Sequence, residues 1–484
     1  MKRWILVTDS YDGIQKNAVN MLSGFVSGLL SYTLPVRIVK DVTESEIEGR
    51  NIIAVGRCRT HPILSEYKAR GLIEVPDREE GYSVYVGQMG QEEKQTIAIA
   101  GSDESGVLYG CMQFIGEYCG GRLHEGEYIW DEKYFDAPLE RKLPEWKTSC
   151  APAIKTRAIW TWGCVIYDYR AFLDNMARLR LNEVVIWNDC VPLNAKDVVA
   201  YAHGLGIKVI FGFSWGWSRN CEKSIEELCT PSGLAGLKDS VLNTYKNQYK
   251  NTGCDGIYFQ SFTEMTADTV GGRCVAEIVT ELVNDIADAL FKEQPSLHIQ
   301  FGLHATSVKT HLDALCAVDE RIHIIWEDCG SFPYSYHPDE VGDFQETYGL
   351  TEKLLALRGK DERFGAVFKG MLNLDWHSFE HHDGSFILGE RTRAFIKERQ
   401  IKKDKIWKII RAEWLGNAKL LRKTVAFIAR SGRDAIIEAL VEDAMLENKI
   451  ALPVMIYAQT LWSPEESIGD ILKLVAKNPF VESE

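Results

Sequence analysis

Residues 255–264 read DGIYFQSFTE, an apolar segment that passes into small polar residues and ends in the carboxylate Glu264. Six further segments repeat this design, each a short apolar run that stops in polar or aromatic residues and precedes a helical pattern. They read TRAIWTWG (156–163), NEVVIWND (182–189), KVIFGFSWGWS (208–218), HIQFGLHAT (298–306), HIIWEDCG (323–330) and AVFKGMLNLDWH (366–377). Continuous apolar strands followed by helices are typical of a parallel sheet that is covered on both faces.

The seven strand–helix units predict a (β/α)8 TIM barrel, the α/β fold in which eight parallel strands close into a ring. The eighth strand is not evident in the sequence. The segment KIIRAEW (408–414) is a weak candidate because it lies inside a helical pattern. A doubly wound open sheet would produce the same alternation of strands and helices, and it is the alternative fold.

Residues 1–145 are predicted to form a separate, small α/β domain. Short β-branched runs such as NIIAVG (51–56) and QTIAIAG (95–101) alternate there with helical periodicity. A polar stretch that contains prolines (136–157) separates this domain from the barrel, which we place at 150–390. Residues 391–484 are predicted to be helices that pack on the side of the barrel.

The composition restricts the class of partner. Apolar residues make up 45% of the 484 residues, and no apolar run approaches the roughly 18 residues of a membrane span. The formal net charge of −14 argues against nucleic acid or an anionic membrane as a partner, because both require a basic surface. The 12 cysteines show no CxxC pair or zinc spacing, and the start MKRWILVTDS is more typical of a strand than of a signal peptide. We therefore predict a cytoplasmic protein, and a homo-oligomer is compatible with the sequence.

The residues at which the apolar runs stop should line the mouth of the barrel. Tryptophans and polar groups recur there, and they describe a pocket with aromatic platforms and directional hydrogen-bonding groups, as sugar rings require. In chain order they are Trp160, Trp162, Trp187, Asn188, Asp189, Trp215, Trp217, Glu264, His304, Trp326, Glu327, Asp328, Asp375, Trp376 and His377. Asn188 and Asp189 would equally serve as helix caps, and His304 and His377 as structural hydrogen-bonding groups.

The segment DWHSFEHHDG (375–384) offers a different interpretation, a metal site. His377 and His381 would share one face of a helix, with Glu380 and Asp383 close by. No second ligand cluster has a recognisable spacing, and no glycine-rich phosphate loop is present. We predict neither a bound metal nor a cofactor.

Two stretches resemble known families of enzymes. TIAIAGSDESGVLYGCMQFIGEY (96–118) resembles the small domain that precedes the barrel in family 67 α-glucuronidases and family 20 β-hexosaminidases, and KTRAIWTWG (155–163) resembles their first barrel strand. DGIYFQSFTE resembles the fourth strand of the α-glucuronidases, whose glutamate at the position of Glu264 is the general acid. The resemblance also implies that Arg157 reaches the pocket and binds sugar hydroxyls or a carboxylate through its planar fork.

Glycoside hydrolysis usually requires two carboxylates, one that protonates the departing oxygen and one that activates water or attacks the sugar. We assign Glu264 as the acid, because an aromatic-walled pocket would raise its pKa and keep it protonated near neutral pH. Its partner is Glu327 or Asp328, with Asp375 as the competing choice.

The sequence therefore predicts a glycoside hydrolase that acts on a short oligosaccharide or glycoside. Family 20 enzymes carry an adjacent Asp-Glu pair on the fourth strand, but Thr263 precedes Glu264 here, which makes a β-N-acetylhexosaminidase the less favoured activity. Two different functions also fit the sequence, a metal-dependent lyase or isomerase that uses His377 and His381, and a non-catalytic sugar-binding barrel. The sequence leaves the sugar and its anomeric configuration open.

Overall fold

The computed structural model describes residues 2–89, 94–116, 139, 142–188, 190–216, 224–264, 267–303, 308, 310–327, 344–359, 363–371, 384–441, 445–476, 478 and 480–482. Within these ranges the chain forms a six-stranded sheet with its helices and a closed barrel of eight parallel strands. The predicted TIM barrel and the small α/β domain before it are therefore confirmed, and the doubly wound alternative is wrong.

The amino-terminal domain is built on a mixed sheet. Its strands are β1 (Trp4–Thr8), β2 (Val36–Ile38), β3 (Asn51–Gly56), β4 (Tyr82–Met89), β5 (Lys94–Gly101) and β6 (Trp146–Cys150). Its helices are α1 (Gly13–Ser27), α2 (Glu44–Ile47), α3 (Pro62–Ala69) and α4 (Glu104–Gln113). The strand order is β2-β1-β3-β5-β4-β6, with β4 antiparallel to both of its neighbours. Because β6 belongs to this sheet, the domain extends past the predicted boundary at residue 145.

The barrel consists of eight parallel strands in one closed ring. The barrel strands are β7 (Thr156–Trp162), β8 (Glu183–Trp187), β9 (Lys208–Gly212), β10 (Gly256–Gln260), β13 (His298–Leu303), β14 (Ile322–Trp326), β15 (Phe364–Met371) and β16 (Ala435–Val441). The strands β11 (Thr269–Val270) and β12 (Arg273–Cys274) form a separate small hairpin between β10 and β13. The ring runs β7-β8-β9-β10-β13-β14-β15-β16 and closes where β16 pairs with β7. The carboxyl ends of all eight strands therefore meet at one mouth.

Helices pack around the barrel. They are α5 (Tyr169–Arg178), α6 (Ala195–Gly204), α7 (Ile225–Leu228), α8 (Pro231–Thr244), α9 (Val275–Glu293), α10 (Phe344–Leu357), α11 (Arg393–Arg430), α12 (Leu452–Trp462) and α13 (Ile468–Ala476). In α5 the Asp168 side chain accepts hydrogen bonds from two backbone amides of the first turn, and Phe172, Leu173 and Met176 are buried at helical spacing. Among the described helices, none combines the length and the apolarity needed to cross a membrane.

The eighth strand lies where the sequence predicted only helices. All seven residues of β16, which read AIIEALV, are buried. The 38-residue helix α11 connects β15 to β16, and KIIRAEW lies inside that helix. The carboxyl-terminal helices are present, but the barrel extends past the predicted boundary at residue 390, because the region 391–484 also supplies its last strand. Glu438 in the middle of the run, together with helix-forming alanine and leucine, masks the strand pattern.

Candidate functional site

The inward-facing residues of the barrel define what its mouth can hold. Side chains alternate between the two faces of a strand, so every second residue points into the barrel. The buried cluster inside the ring consists of Trp160, Trp162, Val185, Trp187, Ile210, Tyr258, Ile325, Val367, Ile436 and Leu440. Gln260, Gly302 and Glu327 continue the same alternation at the carboxyl ends of β10, β13 and β14.

The carboxylate of Glu327, directly after β14, is held in place at this end of the barrel. Glu327 is 3% exposed, and the Tyr258 hydroxyl donates a hydrogen bond to its Oε1 atom. The Gln260 amide nitrogen lies 2.8 Å from Oε1 and 2.7 Å from Oε2. These hydrogen bonds therefore fix the position of the Glu327 carboxyl group near the mouth.

Gly302 makes this arrangement possible. It lies on β13, in register between Gln260 of β10 and Ile325 of β14. A Cβ atom at residue 302 would overlap the Glu327 Oε1 atom and the Tyr258 hydroxyl and would lie 2.7 Å from Tyr258 Cε1. The absence of a side chain at residue 302 therefore gives the Gln260 amide and the Tyr258 hydroxyl their path to Glu327.

Three tryptophans face the barrel interior beside Tyr258, and two of them contact its ring. The ring of Trp160 stacks on Trp187 at 5.9 Å and lies edge-on to Trp162 at 4.8 Å. Trp160 and Trp187 contact the Tyr258 ring at 5.8 and 6.2 Å, and the Trp160 side chain also hydrogen-bonds Tyr258. The three tryptophans are 4–5% exposed. They form an aromatic floor beneath the mouth that fixes the phenol against Glu327.

Burial determines the protonation of the phenol. Burial, followed by the nearby carboxyls of Glu327 and Glu438, raises the pKa of Tyr258 well above its ordinary value. The hydroxyl therefore keeps its proton and remains a donor to Glu327 across the neutral pH range.

Glu264 lies at the same end of the barrel. Its backbone belongs to the 3-10 turn Phe262–Glu264 that follows β10, and its side chain lies outside the described atoms. One strand, β13, separates β10 from β14 in the ring. With neighbouring strands about 4.8 Å apart, the carboxyl ends of β10 and β14 are about 10 Å apart.

Arg157 does not lie at the mouth, and its predicted contact with substrate is wrong. It is the second residue of β7, at the opposite end of the barrel, and it is fully buried. Its guanidinium donates to the Glu80 carboxylate at 2.6 Å and to backbone oxygens of Ile154, Lys155 and Arg180 at 2.8–2.9 Å. These partners occupy the hydrogen-bond donors of the guanidinium, so Arg157 joins the amino-terminal domain to the base of the barrel.

Two predicted sugar platforms are core residues. Trp215 is fully buried and stacks on Phe259 with ring centroids 3.6 Å apart, and Trp326 is fully buried in the main hydrophobic core outside the strands. Strand alternation explains the error, because Glu327 faces inward and its neighbour Trp326 must face outward. Neither indole is available to a sugar.

Of the remaining predicted residues, Asn188 has a structural role and the others lie outside the described part of the chain. The Asn188 amide donates to the Cys190 backbone oxygen at 2.6 Å, which stabilises the loop after β8. The candidates that lie outside the described residues are Asp189, Trp217, His304, Asp328, Asp375, Trp376, His377 and His381. Within the described part of the chain, no three His, Cys, Asp or Glu side chains form a metal-binding group.

Sequence reasoning missed Tyr258, Gln260 and Gly302. The signal was present in the alternation of DGIYFQ, where Tyr258 and Gln260 fall on one face of the strand, and in a glycine inside the strand HIQFGL. A glycine in the interior of a strand often marks a close approach by another group. What the sequence could not supply was the partner, because Tyr258 and Glu327 are 69 residues apart.

Three solved structures with a similar fold are glycoside hydrolases. A Streptomyces plicatus β-hexosaminidase gives a TM-score of 0.52 at 11% identity, with 100% of this chain and 94% of that chain covered. A GH20 β-N-acetylhexosaminidase from Streptomyces coelicolor A3(2) gives 0.52 at 10% identity, with 98% and 91% covered. A family GH115 4-O-methyl-α-glucuronidase gives 0.51 at 12% identity, with 98% of this chain covered, and this chain spans 58% of its length.

The chain has the fold of these enzymes. The resemblance to family 20 β-hexosaminidases is thus confirmed at the level of the fold, and identities of 10–12% establish nothing finer. No protein-family model matches the sequence, and a comparison with curated proteins gave no match.

Proposed function

We propose that this protein is a glycoside hydrolase in which Glu264 is the general acid and Glu327 is the second catalytic carboxylate. The observation that carries the proposal is the Glu327 carboxylate, which Tyr258 and Gln260 fix above an aromatic floor at the carboxyl ends of the strands. A preorganised carboxyl group in a pocket with apolar walls, once ionised, stabilises a developing oxocarbenium ion or activates a water molecule. The fold that the chain shares with glycoside hydrolases supports the same chemistry.

The two carboxylates have different tasks. Glu264, in the turn after β10, protonates the departing glycosidic oxygen, and Glu327 acts on the anomeric centre or on the attacking water. A carboxyl separation of about 6.5–9.5 Å would give inversion of configuration, and one of about 5–5.5 Å would give retention. Asp328 and Asp375 stay in the proposal as competing partners of Glu264.

A screen of aryl glycosides is the first experiment. It should include β-N-acetylhexosaminides and α-glucuronides, because the similar solved structures are named for these activities. The N-acetylhexosaminides are the less favoured substrates, because Thr263 rather than an aspartate precedes Glu264. Turnover that persists in the presence of a strong chelator would argue against the metal-dependent lyase or isomerase. Tight sugar binding without turnover would make the protein a sugar-binding barrel.

Leaving-group dependence then tests the roles. Glu264→Gln should nearly abolish cleavage of glycosides with poor leaving groups and spare dinitrophenyl glycosides, whose leaving group needs no proton. Glu327→Gln should impair cleavage of both substrate types alike, because the anomeric centre must still be attacked whichever leaving group departs. Asp328→Asn and Asp375→Asn serve as comparison variants. Equal, near-wild-type rates of Glu264→Gln on both substrate types would remove Glu264 as the acid.

A further inference from the structure

A second carboxyl lies inside the barrel, and the proposed hydrolysis does not use it. Glu438 is in the middle of β16, pairs in register with Val367 of β15 and Ala158 of β7, and is fully buried. It shares the inward face of the strand with Ile436 and Leu440. Neither of its carboxyl oxygens has a hydrogen-bond partner among the described residues. A buried carboxylate without a partner is strongly unfavourable, so Glu438 carries its proton in the folded protein.

The groups that face Glu438 come from several strands. Among the described side chains, the inward-facing titratable groups are Glu183 of β8, Lys208 of β9, Tyr258 of β10, His298 of β13, and His323 and Glu327 at β14. Of these, Glu183 and Glu327 interact with Glu438 electrostatically, and both repel a charge on it. Glu438 in turn interacts with Tyr258 and with Tyr457 of α12. Burial, followed by Glu183 and Glu327, raises the pKa of Glu438 well above its ordinary value.

Of Tyr258 and Tyr457, only Tyr258 donates a hydrogen bond to Glu327. The Tyr457 hydroxyl lies 2.8 Å from the Ala158 backbone oxygen and 2.9 Å from that of Ile437. The Tyr258 hydroxyl has a single proton, which it donates to Glu327. An ionised Glu438 would put a negative charge inside the barrel that acts on both Glu327 and the Tyr258 hydroxyl. The hold on Glu327 therefore depends on Glu438 staying neutral.

We propose that Glu438 is a positioning residue whose neutral carboxyl lets Tyr258 and Gln260 hold Glu327 in place and whose ionisation loosens Glu327 at alkaline pH. This inference rests on the proposed function for its effect on hydrolysis. It goes beyond that function because it assigns the alkaline limit of activity to a carboxyl that is fully buried in the middle of β16.

The test uses a dinitrophenyl glycoside, since its cleavage does not need the proton of Glu264 and its alkaline limb is free of that group. We expect Glu438→Gln, which is isosteric and cannot ionise, to move the alkaline limb of the kcat profile upward by about one pH unit or more and to leave the acid limb in place.

Glu447→Gln is the matched control. Glu447 is also a buried carboxyl, and burial raises its pKa to about 7. It accepts its hydrogen bond from the Tyr167 backbone amide, however, and the charged group that acts on it is Asp168 rather than a carboxyl inside the barrel. Glu447→Gln should leave the alkaline limb unmoved. The proposal is overturned if Glu438→Gln does not move the alkaline limb, or if Glu447→Gln moves that limb equally.

A second measurement does not depend on turnover. If the wild type cleaves no glycoside, the proposed function fails, and denaturant unfolding between pH 6 and pH 9 tests the protonated Glu438 on which this inference depends. The wild type loses stability as pH rises above the ordinary pKa of a carboxyl, because folding then requires Glu438 to hold a proton that the unfolded chain has released. A stability gain of Glu438→Gln that grows with pH supports the proposal, and a constant gain overturns it.

Discussion

Replacing Gly302 with alanine should disable the site and leave the barrel folded. The new Cβ atom would lie closer than 3.0 Å to the Glu327 Oε1 atom, the Tyr258 hydroxyl and Tyr258 Cε1. Restoring ordinary contact distances of about 3.5 Å requires these groups to move by about 1 Å. A displacement of that size in a catalytic group costs on the order of 10²-fold in rate, or about 2.7 kcal/mol of transition-state stabilisation. Overpacking should also lower the free energy of unfolding by about 1–3 kcal/mol.

Gly365→Ala provides the matched control for this prediction. A Cβ atom at residue 365 would overlap the Ile325 side chain inside the same barrel and lie 3.3 Å from Ile325 Cα, without meeting a carboxylate. We expect both variants to lose similar stability in denaturant titrations, while only Gly302→Ala loses kcat on the glycoside found in the screen. A Gly302→Ala variant that is destabilised but keeps wild-type kcat, or two variants with equal losses of kcat, would refute the assignment of Glu327.

Two further predictions concern buried ionisable residues away from the mouth. Arg157→Lys should lower the free energy of unfolding by about 3 kcal/mol, because lysine cannot replace the guanidinium fork that binds Glu80 and the backbone oxygens. The same variant should leave KM unchanged in steady-state kinetics. A raised KM would show that Arg157 contacts the substrate after all. Burial raises the pKa of Glu183 from 4.5 to about 7, so the wild type loses stability as pH rises between these values. Glu183→Gln should therefore gain about 3 kcal/mol more in denaturant unfolding at pH 8 than at pH 5, and an equal gain at both pH values would contradict a buried, protonated Glu183.

The barrel was predictable because its strands carry a local signal. Seven strands are short apolar runs followed by helical patterns, and the structure places all seven in one parallel ring. β16 was missed because Glu438 interrupts its apolar run, and the groups that act on Glu438 belong to other strands. A local pattern cannot reveal a residue whose environment is assembled by the tertiary fold.

The site was predictable only in part. The rule that chemistry lies at the carboxyl ends of strands selects Glu327, but it selects Trp326 and Trp215 as well, and these face the outer core. Applying the two-residue period of a strand to each strand end would have separated them. Arg157 shows a different limit, since its partner Glu80 is 77 residues away and no spacing rule connects the two.

The contact between Glu80 and Arg157 has a consequence for engineering and for evolutionary shuffling of this chain. A fragment that starts near residue 150 would keep a buried guanidinium at the base of the barrel and lose the carboxylate that neutralises it. Arg180 adds to the dependence, because it reaches Tyr82 and Gln113 of the first domain and Gln459 of α12. The barrel is therefore not an exchangeable module, and a chimera that grafts it onto another leading domain must bring the segment around Glu80 with it.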